Sequence, residues 1–210
     1  VDFATTYMAP LIAEFARRHP GITFDFDLTP RRVDLVSEPF DVAIRMGELS
    51  DSNLIARLLA RLPVGAYASP RYLEVSGEPE HARDLAQHEC LRLIDYPELA
   101  SWPFRTVDGV RSVQVSGRHT ANNAETLLQM ALAGMGIVRL VDPMVSEPLA
   151  RAELVALLQD SHHMDPVPMQ IVMPRDKHRL PKVRVMVDFL LEKFESPPWR
   201  RQSSVADPRR

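Results

Sequence analysis

The sequence has a single cysteine, Cys90, so no disulfide can form within the chain. That suits a reducing compartment, and we expect a cytoplasmic protein. No apolar run approaches the roughly 20 residues needed to cross a bilayer. The opening Val1-Asp2-Phe3 has neither the basic region nor the apolar core of a secretion signal, and no initiator Met. The chain is therefore expected to begin inside a longer protein. A strong charge of one sign is also missing. The formal net charge is -3, which gives no general attraction to nucleic acid or to an anionic membrane.

Catalytic signatures are equally scarce. There is no Gly-x-Ser-x-Gly elbow, no phosphate-cradling glycine loop and no His-Glu-x-x-His pair. Gly134-Met135-Gly136 lacks the third glycine of a dinucleotide fingerprint and follows a helical pattern instead of opening one. Ser69 has no base nearby in sequence, which favours a turn or strand end over a nucleophile. Cys90 lies beside Leu91 and Leu93, as a small buried residue would. His162 and His163, with Asp160 and Asp165, invite a metal reading. No helical or strand spacing fixes these ligands, so a solvated loop is favoured. We expect no enzyme, no cofactor and no metal.

What is present is an alternation of periodicities. Met8, Leu11, Ile12 and Phe15 fall at helical spacing, with Pro10 tolerated near the helix start and His19-Pro20-Gly21 as the stop. Ile22, Phe24, Phe26 and Leu28 alternate with polar residues and predict a strand with one buried face. A short helix is expected over Arg31 to Ser37 and a strand over Phe40 to Arg45. Leu54 to Arg61 is ambiguous. Strands are expected at Leu62 to Ser69, Leu91 to Ile94, Arg111 to Ser116, Ile137 to Leu140, Leu154 to Leu158 and Met169 to Met173. Helices are expected at Ala82 to His88, Asn123 to Ala133, Pro143 to Ala150 and along the stripe Val183, Val187, Leu190, Leu191 and Phe194. Leu99 to Phe104 reads as irregular. Residues 196–210 carry no periodicity and read as a disordered tail. Strands alternating with helices predict an α/β chain of parallel sheets with helices on their faces, in two lobes.

Three groups of residues stand where such a fold binds ligands. Thr5 and Thr6 precede the first helix, and Asn122 and Asn123 precede the central one. Their side chains can cap those helices, or can join free backbone N–H groups in holding an anion. Arg45 ends a strand. It can present a planar fork to a carboxylate, or pair with Asp41, Glu48 or Asp51.

Taken together, the motifs resemble a known family. Phe3-Ala4-Thr5-Thr6 to Ala9-Pro10-Leu11, then Glu14-Phe15 and His19-Pro20-Gly21-Ile22, are similar to the opening of a LysR-type effector-binding domain. Arg32-Val33-Asp34-Leu35-Val36 followed by Phe40-Asp41-Val42-Ala43-Ile44-Arg45-Met46-Gly47 is the most specific stretch. Ala68-Ser69-Pro70-Arg71-Tyr72-Leu73 resembles the family's lobe crossing. His88-Glu89-Cys90-Leu91, Trp102-Pro103-Phe104, Asp108-Gly109, Asn122-Asn123-Ala124-Glu125 and Ala133-Gly134-Met135-Gly136-Ile137-Val138-Arg139-Leu140 continue in family order. Lys182-Val183-Arg184 and Asp188-Phe189-Leu190 close the match. Two positions depart from the pattern: Thr29-Pro30, where Ser-Asp is common, and Val141, where proline is frequent.

The resemblance implies two Rossmann-like lobes of the type II periplasmic-binding-protein kind, joined by a two-crossing hinge. Val1 to Tyr67 with Ser161 to Glu195 would form one lobe, and Ala68 to Asp160 the other. It implies a transcriptional regulator that senses a small metabolite in the interlobe cleft; the two helix starts and Arg45 lead us to expect an organic anion. Homodimers or tetramers are implied, with DNA bound only through an N-terminal helix-turn-helix outside this sequence. Carried over residue by residue, the effector would meet Thr5, Thr6, Arg45, Met46, Gly47, Ser69, Asn122 and Asn123. A periplasmic solute-binding protein of a transporter is the alternative on the same fold.

Overall fold

A computed structural model describes residues 4–29, 31, 33–47, 53–163, 166–197 and 199, with the backbone alone at position 5. The chain divides into two compact units, Val1–Leu62 with Val167–Arg210, and Pro63–Pro166. It passes from one to the other twice, after Leu62 and after Pro166.

The first unit opens with a π-helical turn, Ala4–Met8, that runs straight into helix α1, Ala9–Arg18. Pro10, which has no N–H to donate, sits where the π-helical turn passes into the first turn of α1. Strands β1 (Ala43–Met46) and β2 (Leu54–Leu62) flank β10 (Val167–Pro174), both antiparallel. Ala43 faces Val172 and Met46 faces Met169, and the β10–β2 register shifts between Met169 and Gln170. Helix α5, Pro181–Phe194, buries the stripe Val183, Met186, Val187, Phe189, Leu190 and Phe194. Phe15 of α1 is fully buried, and its ring meets Phe189 edge-on at 5.1 Å. Lys193 of α5 pairs with Glu14 of α1 at 2.7 Å, and that hydrogen bond is the main cause holding the Glu14 carboxyl below its ordinary range.

The structure departs from expectation at three places in this unit. Ile22 to Leu28 keeps its alternation only in part: Ile22 and Phe24 are half-buried, but Phe26 and Leu28 are exposed. The segment joins no described ladder. Phe24 instead packs edge-on to Phe15 and stacks on Phe26, so aromatic packing replaces strand pairing. The short helix at Arg31 to Ser37 is a single turn, closed by Glu38 N–H donating to the Asp34 carbonyl at 2.9 Å. Asp34 accepts from the Val36 N–H and the Ser37 hydroxyl, a local pattern that competes with helix continuation. Trp199 also departs from the expected tail: it is buried against Tyr7 and Phe194. Residues 198 and 200–210 lie outside the described residues.

The second unit is built on β3 (Val64–Ala68), which pairs antiparallel with β8 (Val138–Val141) and β9 (Val155–Leu157). Leu62 to Ser69 thus divides: Leu62 ends β2 of the first unit, and β3 belongs with β8 and β9. Helix α2 (Pro70–Ser76) and a 3₁₀ turn (Ala82–Gln87) follow β3. β4 (Arg92–Leu93) pairs parallel with β7 (Thr120–Ala121). β5 (Ser101–Thr106) and β6 (Gly109–Gln114) form a hairpin, so the stretch expected to be irregular is largely strand. Helices α3 (Ala124–Leu132) and α4 (Asp142–Ala150) complete the unit.

Alternation along β3 and β8 sorts this core into two layers. Tyr67, Val138 and Leu140 pack with Leu127, Leu128 and Ala131 of α3. Ala66, Ala68, Ile137 and Leu157 pack with Trp102 and Phe104 of the hairpin. Cys90 is buried in the second layer, where burial pushes its thiol up to about 12. The expected all-parallel sheets are not found; among described strands only β4–β7 is parallel.

Candidate functional site

In the first unit, Arg45, Met46 and Gly47 end β1 together. Arg45 faces Gln170 across the ladder, and its guanidinium donates to the Val33 carbonyl. The alternative ion pair with Asp41 is not formed, because Asp41 pairs with Lys182 at 2.7 Å. Glu48 and Asp51 lie outside the described residues. Met46 is exposed. Gly47 has φ +98, a left-handed geometry that favours glycine. Its N–H donates to the Pro168 carbonyl at 2.9 Å, and its carbonyl accepts from Gln170 Nε2 at 3.1 Å. Gln170 was not anticipated as part of this corner. Its signal was available: it is the one polar side chain in the run Val167–Met173.

Thr5 and Thr6 lie within the π-helical turn and do not cap α1, whose N-cap position is Met8 with no side-chain cap bond. Thr6 is exposed; the Thr5 side chain lies outside the described atoms.

In the second unit, Asn123 is the N-cap of α3 and accepts from the Thr126 N–H at 2.8 Å. Its amide donates to Oδ1 of the exposed Asn122 at 2.9 Å. The capping reading is therefore realised for Asn123. Glu125 adds a negative charge in the first turn.

Ser69 is elsewhere in this unit. It is buried, precedes α2, and its Oγ has no hydrogen-bond partner. A Cβ on Gly134, just past the C-terminal end of α3, would stand 3.7 Å from that Oγ. Ser69 thus lies at the far end of α3 from Asn123, about 13 Å away along a nine-residue helix. The structure does not bring Ser69 to Asn122 and Asn123. It lies beside an open concavity of about 850 Å³ lined by Arg71, Tyr72, His88, Glu89, Arg118 and Gly134 among others.

Among the described residues no group of three or more potential metal ligands occurs; Asp165 lies outside them. No helix among the described residues is long and apolar enough to cross a membrane.

Comparison with known proteins gives a consistent picture. The family model of the LysR substrate binding domain matches residues 1–195. The HTH-type transcriptional regulator CrgA of Neisseria meningitidis serogroup B is 34% identical over 187 residues, covering 89% of this chain and 62% of that protein. This chain therefore spans less than two thirds of that relative's length. The solved regulatory domain of Neisseria meningitidis CrgA, a LysR-type transcriptional regulator, superposes with a TM-score of 0.82 at 33% identity, covering 90% of this chain and 93% of that one. The full-length Vibrio cholerae virulence activator AphB gives a TM-score of 0.76 at 26% identity, over 91% of this chain and 65% of that one.

Proposed function

Since this chain belongs to the LysR substrate binding domain family, we propose that it is the effector-sensing part of a cytoplasmic HTH-type transcriptional regulator. The observation that carries this is the family match over residues 1–195, joined to relatives that are themselves named transcriptional regulators. Those relatives favour regulation over solute transport, and sensing over catalysis.

The effector is a small organic anion, in our reading a carboxylate. The contacts we propose are Arg45, Met46 and Gly47 at the end of β1, Thr5 and Thr6 of the first helical turn, and Asn122 and Asn123 at the start of α3. The support is chemical. Arg45 is a permanent cation that donates to a backbone carbonyl, and among the described residues it pairs with no carboxylate, which suits it to an anionic ligand. The start of α3 offers N–H donors and the positive end of a helix dipole. Ser69 is not carried forward, because it is buried a helix length from Asn123.

A thermal-shift panel of acetate, succinate, citrate and benzoate, with the matching amides as neutral controls, tests this. A ligand at one hundred times its dissociation constant stabilises by about 2.7 kcal/mol, a rise of roughly 5–11 °C at this size. At least one acid should raise the melting temperature where its amide does not, and Arg45→Lys should weaken that response. Equal responses to acids and amides would exclude an anion site.

We also infer a homodimer. Phe26 and Leu28 are 55% and 44% exposed on a segment that joins no described ladder, an apolar surface suited to an isologous contact. DNA contact belongs to a helix-turn-helix outside this sequence.

A further inference from the structure

The concavity of about 850 Å³ in the second unit opens at the C-terminal end of α3, away from Asn122 and Asn123. One of its walls, at His88 and Glu89, is set by close backbone approach. A Cβ on Gly117 would stand 2.3 Å from the Cys90 carbonyl oxygen, and one on Gly136 would stand 2.4 Å from that of Glu89. A side chain at either point would collide with main chain, so this wall is formed before any ligand arrives.

The acid in the wall is already committed. Glu89 Oε1 accepts from the Arg118 N–H and, at 3.1 Å, from the His119 N–H, and Oε2 lies 3.5 Å from Arg118 Nε. Two donors are not committed. The Tyr72 hydroxyl accepts from the Glu89 N–H at 3.0 Å, so its own proton goes to His88 Nδ1, 3.1 Å away. The neutral His88 ring then carries its proton on Nε2, which has no partner among the described residues. Burial lowers His88, with Asp84 opposing, and this keeps the ring neutral at neutral pH. Arg71, also in the lining, is exposed and makes no ion pair or hydrogen bond among the described residues. Its Cγ and Cδ lie 3.4 Å from the Cβ position of Gly134, and the buried, unpartnered Ser69 Oγ adjoins the same glycine.

The lining also carries apolar side chains in contact with solvent. Val75 is 86% exposed, and Met135, Ala86 and Ala133 are exposed beside it in the same lining. An inorganic anion would meet Arg71 but leave this apolar surface in water. A neutral apolar molecule would cover it and leave the guanidinium without a counter-charge. We propose that the concavity is a second small-molecule site, for a carboxylate carried on an apolar body. Arg71 supplies the charge and a two-pronged donor, His88 Nε2–H a further donor, and Val75 with Met135 the apolar contact.

The test follows the imidazole NMR signals of the full chain near neutral pH while benzoate or hexanoate is added, with benzamide and hexanamide as neutral controls. Loss of one signal in His88→Gln assigns it. We expect at least one acid to move the His88 signal saturably where its amide does not. Arg71→Gln keeps the Cγ and Cδ atoms that meet Gly134 and removes the charge, and it should weaken that acid by about tenfold or more. Met135→Ser should weaken it too, by removing apolar contact. Arg151→Gln, at the end of α4, removes an equal charge outside the lining and should leave the affinity as it was. A His88 signal unmoved by either acid would overturn the proposal, as would equal responses to acid and amide. So would an affinity unchanged in Arg71→Gln, or a response lost in Arg45→Lys, which would put the acid at the end of β1 instead.

Discussion

At the scale of single residues, the corner at the end of β1 ties a structural contact of Arg45 to its proposed role. Arg45 supports the chain by donating to the Val33 carbonyl, and the proposed role adds an anionic ligand to the same guanidinium. Arg45→Ala should therefore lower the unliganded melting temperature by about 3–6 °C, from the loss of one charge-assisted hydrogen bond. A melting curve unchanged by the substitution would show that the bond to Val33 carries no weight. Gly47, at φ +98 with open space around its Cβ position, isolates backbone strain from packing. Gly47→Ala should destabilise by about 1 kcal/mol in urea unfolding. Cys90, buried and with its thiol held up to about 12, should resist a thiol reagent at neutral pH in the native state and react at once in denaturant. Rapid native labelling would contradict that environment.

At the scale of elements, the cap of α3 makes the next prediction. Asn123 Oδ1 accepts from Thr126 N–H, so Asn123→Ala should cost about 1 kcal/mol and Asn123→Ser should recover most of it. This helix was legible in the sequence because cap, apolar face and terminal glycine agree, and α5 was legible from its stripe. β5 was not, because Pro103 separates Trp102 from Phe104 and proline argues against a strand. In the hairpin Pro103 faces Ser112, and the two aromatic rings are buried on one side. Leu54–Leu62 repeats Ala-Arg-Leu at a spacing that fits a helix as well as a strand; pairing with β10 decides it. Sheet direction was beyond local pattern altogether, since β10 enters between β1 and β2 from more than a hundred residues away. The site was legible as residue types. What could not be read was distance: Ser69 and Asn123 look alike as helix-start residues, and only the fold places them at opposite ends of α3.

At the scale of the whole molecule, stability should follow pH through His162. Its folded value of about 4 lies below the ordinary 6.5, so the unfolded chain binds the extra proton first. Its contribution is complete above pH 6.5 and is lost as pH falls from 6.5 towards 4. Melting temperature should decline over that window, and His162→Gln should flatten the decline. Sedimentation at micromolar concentration should show a dimer that Phe26→Asp dissociates; a wild-type monomer would count against the exposed aromatic surface as an interface. The central claim is that the corner at the end of β1, with Arg45, senses a small anion. Hydrogen exchange tests it most directly, using the acid that gives the largest thermal shift. The account predicts added protection in the peptide spanning 43–47 at a saturating concentration of that acid. No added protection there while the melting temperature still rises would contradict it.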